Sequence, residues 1–143
     1  EPRSVKGISS KSPTGVDYFD ASIVEFECGA TASLSGAAGL PKHAPPQLDL
    51  KVYGSEGMLL VDVEEGRERL ALRRFDGEDH NHEIGPGGGY GSYSTKESVN
   101  RFVELCRGET ARNCGDHNIG LKTVQVLDAL YQSFDSGETE LCR

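Results

Sequence analysis

Extended segments come first in this sequence and helical ones last, and that order constrains the fold more than any single motif. VKGIS, ASIVEFECG and ATASLSG cluster or alternate apolar residues, with Gly29 turning the chain between the second and the third. LDLKVYGSEGMLLVDV is the clearest hairpin. Leu48, Leu50 and Val52 alternate with Asp49, Lys51 and Tyr53, Gly54 to Gly57 turns the chain, and Met58 to Val63 returns. RLALRRF continues the meander. Strands grouped ahead of helices argue against the strand–helix alternation of a doubly wound fold. The expected class is α+β, an open-faced, predominantly antiparallel sheet with helices packed on one face.

Two helices and a short strand close the chain. Ser94 and Glu97 have capping-box spacing, and Val99, Phe102, Val103 and Cys106 recur at helical intervals until Gly108, which predicts a helix near Thr95 to Arg107. Asp116 caps a second helix, expected from Asp116 to Ser136. Val124, Leu127, Tyr131 and Phe134 form one face of it, Leu130 lies beside them, and Gly137 ends it. TELCR reads as a final strand. AAGLPKHAPPQ, with three of the six prolines, is an irregular connection. GEDHNHEIGPGGGYGSYS is polar and glycine-rich, a surface loop or lid with no strand beyond HEI.

With 143 residues and 36% hydrophobic content, the chain fits one domain with one core. A formal charge of −8 and a pI near 5.0 set it against phosphate backbones and anionic lipid, so neither nucleic acid nor membrane is an expected partner. EPRSVKGISSK lacks the apolar stretch of a signal peptide, and no apolar run approaches the roughly 18 to 20 residues that span a bilayer. These features lead to the expectation of a soluble, cytoplasmic protein. Cys28, Cys106, Cys114 and Cys142 form no C-x-x-C pair and read as reduced thiols. Cys106 lies on a helical stripe and Cys28 and Cys142 close strand-like runs, so packing accounts for three of them.

Several stretches imitate catalytic or cofactor motifs and fail on spacing. GPGGGYG, Gly85 to Gly91, invites a phosphate-loop reading. In G-x-G-x-x-G register, however, its last position is Tyr90 from Gly85 or Ser92 from Gly87, and no Lys-Ser/Thr follows. His80 and His82 alternate on an extended segment beside Asp79 and Glu83, yet nothing fixes a third metal ligand, and the H-x-H reads as solvated surface. The serines lack a G-x-S-x-G elbow, and GSYS is not one. Glu25 and Glu27 alternate as the solvent-facing half of a sheet does. No catalytic, cofactor-binding or metal-binding constellation is expected in this chain.

A strand ending in ECGATASL, the hairpin LDLKVYGSEGMLLVD, a helix beginning around SYSTKESVNRFVELCRG, and GDHNIGLKTVQVLDALYQSFDSGETELC come one after another in an order that resembles a known domain. It is the C-terminal domain of the glucose-fructose oxidoreductase / inositol dehydrogenase family, Gfo/Idh/MocA. The most specific pieces are the turn from Gly54 to Gly57 and the last helix. There Gly120-Leu121, Ala129, Tyr131 and Ser133 fall where the family has G-L and then A-x-Y-x-S, before a glycine and a final strand. Ala129 is small where a helix must lie close to a sheet, and Tyr131 can bury its ring with its hydroxyl at the edge.

The resemblance implies a parent enzyme of two domains that passes a hydride between NAD or NADP and a sugar, polyol or related hydroxyl compound. It places the dinucleotide fingerprint and a Glu-Lys-Pro lysine in an N-terminal Rossmann domain absent from this chain. The family's Asp-x-x-x-His helix falls just before the first strand. Asp76 and His80 share that spacing in DGEDH, but they lie in a hydrophilic turn and are read as an accidental match. Residues 1–143 are therefore expected to be the substrate-side and oligomerisation domain, inactive alone and binding no dinucleotide. It would associate with its own copies through the open sheet face. A non-catalytic ligand-binding or assembly module of the same fold is the alternative. By resemblance, the loop before LDLKVYG nominates Lys42 and His43 as substrate contacts, and the loop before SYSTKESV nominates Tyr90 and Tyr93. His117, beside the Asp116 cap, is a weaker candidate.

Overall fold

The structure, a computed structural model, describes residues 1–43, 48–62, 69–83, 95–109 and 115–143, with the backbone alone for 95–97. The elements are β1 (Pro2–Lys11), β2 (Asp17–Phe26), β3 (Thr31–Ala37), β4 (Asp49–Gly54), β5 (Gly57–Asp62), β6 (Arg69–Arg74), β7 (His80–His82), α1 (Thr95–Cys106), α2 (His117–Ser136) and β8 (Glu140–Leu141). The class is α+β, and the strands form two four-stranded antiparallel sheets, β3-β2-β1-β8 and β4-β5-β6-β7. Packing separates Glu1–Pro41 and Cys114–Arg143 from Lys42–Asn113.

In the first unit the register decides which residues meet α2. Directly paired residues project to the same side, so Val5 with Val24 and Gly7 with Ser22 share one face, and Lys6 with Ile23 and Ile8 with Ala21 share the other. On α2, Val126, Ala129, Leu130 and Ser133 recur at i, i+3, i+4 and i+7 and cover the first face. The core is Val5, Val24, Ala129 and Leu130, with Phe26, Ala32, Val126, Phe134 and Cys142 packed against it.

A polar contact sets the helix this close to the strand. A Cβ on Gly7 would come within 2.5 Å of Leu130 Cδ1 and 2.6 Å of Phe134 Cε1, so the helix occupies the space a side chain would need. Strand β8 pairs only with Ser4 and Val5. Ser133, fully buried, then accepts the Gly7 N–H at 3.0 Å and donates to the Glu138 carbonyl at 2.6 Å. One hydroxyl joins β1, α2 and the turn into β8.

This contact also rotates α2 from its expected setting. Val124 is 62% exposed and Leu127 and Tyr131 are about half exposed, so only Phe134 and Leu130 of the expected stripe face the core. Tyr131 lays its ring edge-on against Phe134 at 5.7 Å, and the hydrogen bond its hydroxyl donates to Asp17, then the charge of Asp17, raise the phenol pKa. At the ends of α2, Asp116 accepts the Ile119 N–H at 3.0 Å, and the Gly137 N–H closes onto the Ser133 carbonyl.

In the second unit, Leu50, Val61, Leu70 and His82 lie in one cross-strand row and Val52, Leu59, Leu72 and His80 in the next, both on one face. Ser55 and Glu56 form the tip of the β4–β5 hairpin. Gly57 comes next at φ +156, where a Cβ would overlap the Arg73 carbonyl of the neighbouring strand. The strand expected at HEI lies earlier, at His80–His82, because its register with Leu70 to Leu72 extends β6. On α1, the apolar stripe of Val99, Phe102 and Val103 is exposed, Phe102 by 66%. Packing does not account for Cys106 or Cys28, which are exposed, Cys28 in the β2–β3 turn. Cys142 does pack on the core, where burial pushes its thiol pKa up.

Two substitutions on α2 test its rotation. Leu130→Ala is expected to destabilise the chain by about 2–5 kcal/mol by opening a core cavity, and Val124→Ala by less than about 0.5 kcal/mol as a surface change. Ser133→Ala should cost about 1–3 kcal/mol because it strands the buried Gly7 N–H. Urea midpoints at constant m-value measure all three. Equal losses at Leu130 and Val124 would contradict the helix setting.

Candidate functional site

The connection leaving β3 carries two of the five nominated residues. Lys42 and His43 are consecutive in a turn and exposed, so an ammonium and an imidazole stand together at the surface. Such a pair can donate to hydroxyl oxygens, and the imidazole can also accept. His117 opens the first turn of α2, in the first unit, and is exposed as well. Tyr90 and Tyr93 lie outside the described residues, as does GPGGGYG.

The start of α2 does not fit a dinucleotide. A helix N-terminus attracts a pyrophosphate through free N–H groups, but here the Asp116 carboxylate takes the Ile119 N–H. That hydrogen bond, with a smaller one from Asn118, lowers the Asp116 pKa and fixes a negative charge where the anion would sit.

The remaining chemical look-alikes are used by local structure. Asp76 receives Arg74 Nε at 3.0 and 3.1 Å and Nη2 at 2.6 Å, and it also accepts the Glu78 N–H at 3.0 Å. The Arg74 hydrogen bonds, then the Glu78 N–H, lower its pKa from 3.8 to about 2, so it clamps the β6–β7 turn and is no proton donor at neutral pH. Asp79, next to His80 in the chain, accepts the Arg74 N–H at 3.0 Å and pairs with Arg73 at 3.6 Å. His80 and His82 share a face as the alternation implies, beside Leu72 and Leu70. Among the described residues no three His, Cys, Asp or Glu side chains gather as metal ligands.

Sequence reading missed Tyr18. Lys11 pairs with Asp17 and Ser10 with Phe19, so Tyr18 is the extra residue of a β-bulge. Its ring lies against Gly39, where a Cβ would overlap it. The signal in the sequence is the adjacency of Tyr18 and Phe19, which shifts the apolar–polar alternation of residues 16–23 by one position.

No protein-family model and no curated protein matches the sequence. Solved structures do match. A levoglucosan dehydrogenase in complex with NADH aligns over 100% of this chain and 45% of its own, at 17% identity and a TM-score of 0.79. An oxidoreductase from Agrobacterium radiobacter in complex with NAD+, L-tartaric acid and magnesium aligns over 99% of this chain and 44% of its own, at 17% identity and TM-score 0.70. The WlbA dehydrogenase from Bordetella pertussis in complex with NADH and UDP-GlcNAcA aligns over 99% and 40%, at 16% identity and TM-score 0.67. These neighbours are Gfo/Idh/MocA-type oxidoreductases. The chain shares their fold along almost its whole length and spans less than half of theirs. Among the described residues no helix is long and apolar enough to cross a membrane.

The Asp76 clamp has a pH signature. Its folded pKa is depressed, so its stabilisation is present above 3.8 and is lost as pH falls through about 2. Asp76→Asn should flatten the urea stability profile across that window and leave the profile near neutrality unchanged in slope. An unaltered acid slope would show that the clamp does not form.

Proposed function

We propose that this chain is the substrate-side and oligomerisation domain of an NAD(P)-dependent oxidoreductase acting on a sugar, polyol or related hydroxyl compound. The observation that carries this reading is the fold match over 100% of this chain to 45% of levoglucosan dehydrogenase. A dinucleotide supplies the hydride acceptor or donor in such an enzyme, and the start of α2 repels its pyrophosphate. The cofactor, NAD or NADP, is therefore assigned to a Rossmann half outside this sequence. The present chain would bind none and be inactive alone.

In this proposal Lys42 and His43 orient the substrate by hydrogen bonds to its hydroxyls, with Tyr90, Tyr93 and His117 as further contacts. Hydrogen bonds of this kind fix the reacting carbon; they do not transfer the hydride. Self-association through the face of the first sheet opposite α2 is supported by Ile8, 71% exposed, and Ile23, 56% exposed, with Phe19 also exposed on that face. A closed two-fold dimer is the simplest arrangement. Cytoplasmic residence belongs to the same proposal.

Steady-state kinetics with the dinucleotide-bearing full-length protein test the substrate reading. Lys42→Met and His43→Asn should each raise the sugar or polyol KM by roughly fivefold to tenfold, the worth of about one hydrogen bond, without changing the dinucleotide KM. Absence of dinucleotide binding in the full-length protein would favour the non-catalytic module. For assembly, light scattering should show a dimer that Ile23→Glu converts to monomer; a monomeric parent at high concentration would remove the oligomerisation claim.

A further inference from the structure

In the first unit α2 packs chiefly on β1, so the part of β3 beyond Ala32 is left open on the helix side. Leu34 pairs with Ser22, which pairs with Gly7, so Leu34 projects to the face that carries α2 and is 48% exposed there. Between it and the helix runs a groove of about 420 Å³. Phe26 and Leu34 form its floor, and Ile119, Val126 and Leu127 rise along its wall. Ile119 and Leu127 are each about half exposed. The polar side chains at the groove are already engaged: Thr123 donates to the Ile119 carbonyl at 2.9 Å, and Lys122 pairs with Glu1 at 2.6 Å. What remains open is carbon, which suits apolar side chains and offers the hydroxyls of a polyol no partner.

The backbone of Glu1 is fixed at the mouth of this groove. Pro2 pairs with Phe26, the Glu1 carbonyl accepts the Glu27 N–H at 2.9 Å, and Lys122 holds the Glu1 side chain from α2. In the proposed parent the Rossmann half joins this chain ahead of Glu1, and more than half the length of the levoglucosan dehydrogenase neighbour lies outside the alignment. We propose that the groove seats an apolar stretch of the segment leading into Glu1, and so forms part of the contact between the two halves of the parent. This rests on the two-domain reading and adds the surface on which the halves meet. A segment tethered at the mouth competes at an effective concentration that a second copy or a separate protein does not reach. Seating it takes Leu34, Ile119 and Leu127 out of water, and the tether spares most of the cost of bringing two bodies together.

Hydroxyl-radical footprinting of the 143-residue chain and of the full-length protein reads the seat directly. Leu34, Ile119 and Leu127 should be labelled about fivefold less in the full-length protein, as half-exposed side chains enter an interface core. Equal labelling of the three in both proteins overturns the proposal. Leu127→Glu puts a charge into the groove and should return Leu34 and Ile119 of the full-length protein to the labelling of the shorter chain. The occupant is identified by growing the full-length protein with photo-leucine, which places a cross-linker at Leu34 and Leu127 with little change of volume. Adducts to residues ahead of Glu1 in the same chain support the seat. Adducts to a second copy, told apart by isotope mixing, or to any other part of the same chain overturn it. If the full-length protein binds no dinucleotide, the oxidoreductase reading has failed, and the cross-links then decide the seat separately.

Discussion

The arrangement of the first unit depends on one close approach, α2 against Gly7. Among its described residues the core holds four buried apolar ones, Val5, Val24, Ala129 and Leu130. The two valines and Leu130 contribute roughly 1.5–3 kcal/mol each and the Ala129 methyl less, so the stack has little apolar area to spare. The missing Cβ of Gly7 brings Leu130 and Phe134 down onto β1, and Ser133 satisfies the strand N–H that this approach buries. The hydroxyl also holds Glu138, which places β8 against Ser4 and Val5. A larger residue at Gly7 would lift the helix, leave the Ser133 bonds unmade and release the last strand, three losses from one change.

Elements were legible in the sequence where a local signal set them. The alternation of Leu48 to Tyr53, the Gly54 to Gly57 turn, and the Asp116 and Gly137 caps all predict what the structure holds, because each is decided within a few residues. The rotation of α2 was not legible. Its apolar residues cover more than one face, and periodicity alone cannot choose between Val124–Leu127–Tyr131 and Val126–Leu130–Ser133. A serine decides the choice, and its reason for burial lies 126 residues away at Gly7. The division of the strands into two sheets is likewise a matter of long-range pairing.

Site chemistry was legible in a narrower sense. Asp76 and His80 have the family's spacing and were set aside for their hydrophilic setting, and the structure adds a physical reason, an aspartate already engaged by Arg74 and the Glu78 N–H. Lys42 and His43 came from resemblance and not from any pattern of their own. Nothing in LPKH distinguishes a binding loop from an ordinary one. The bulge at Tyr18 leaves only a one-position slip in the alternation, at Tyr18–Phe19, because a bulge is a relation between two strands.

The fold itself leaves the substrate open. Structures with this fold were solved with levoglucosan, with L-tartaric acid and with UDP-GlcNAcA, compounds that share hydroxyls and little else in size or charge. A sheet and helix common to such proteins at 16–17% identity supply a frame whose demands are few: a small residue under the helix, caps at its ends, and alternating strands. Differences in ligand must then be carried by what those demands do not fix, which is the connections and the residues that aim them. In this chain the connection after β3 starts against the ring of a bulged tyrosine, Tyr18, for which Gly39 makes room. The frame could stand without that contact, since neither Tyr18 nor Gly39 belongs to the core. Such a contact can change without cost to the frame, which is where differences in ligand are accommodated.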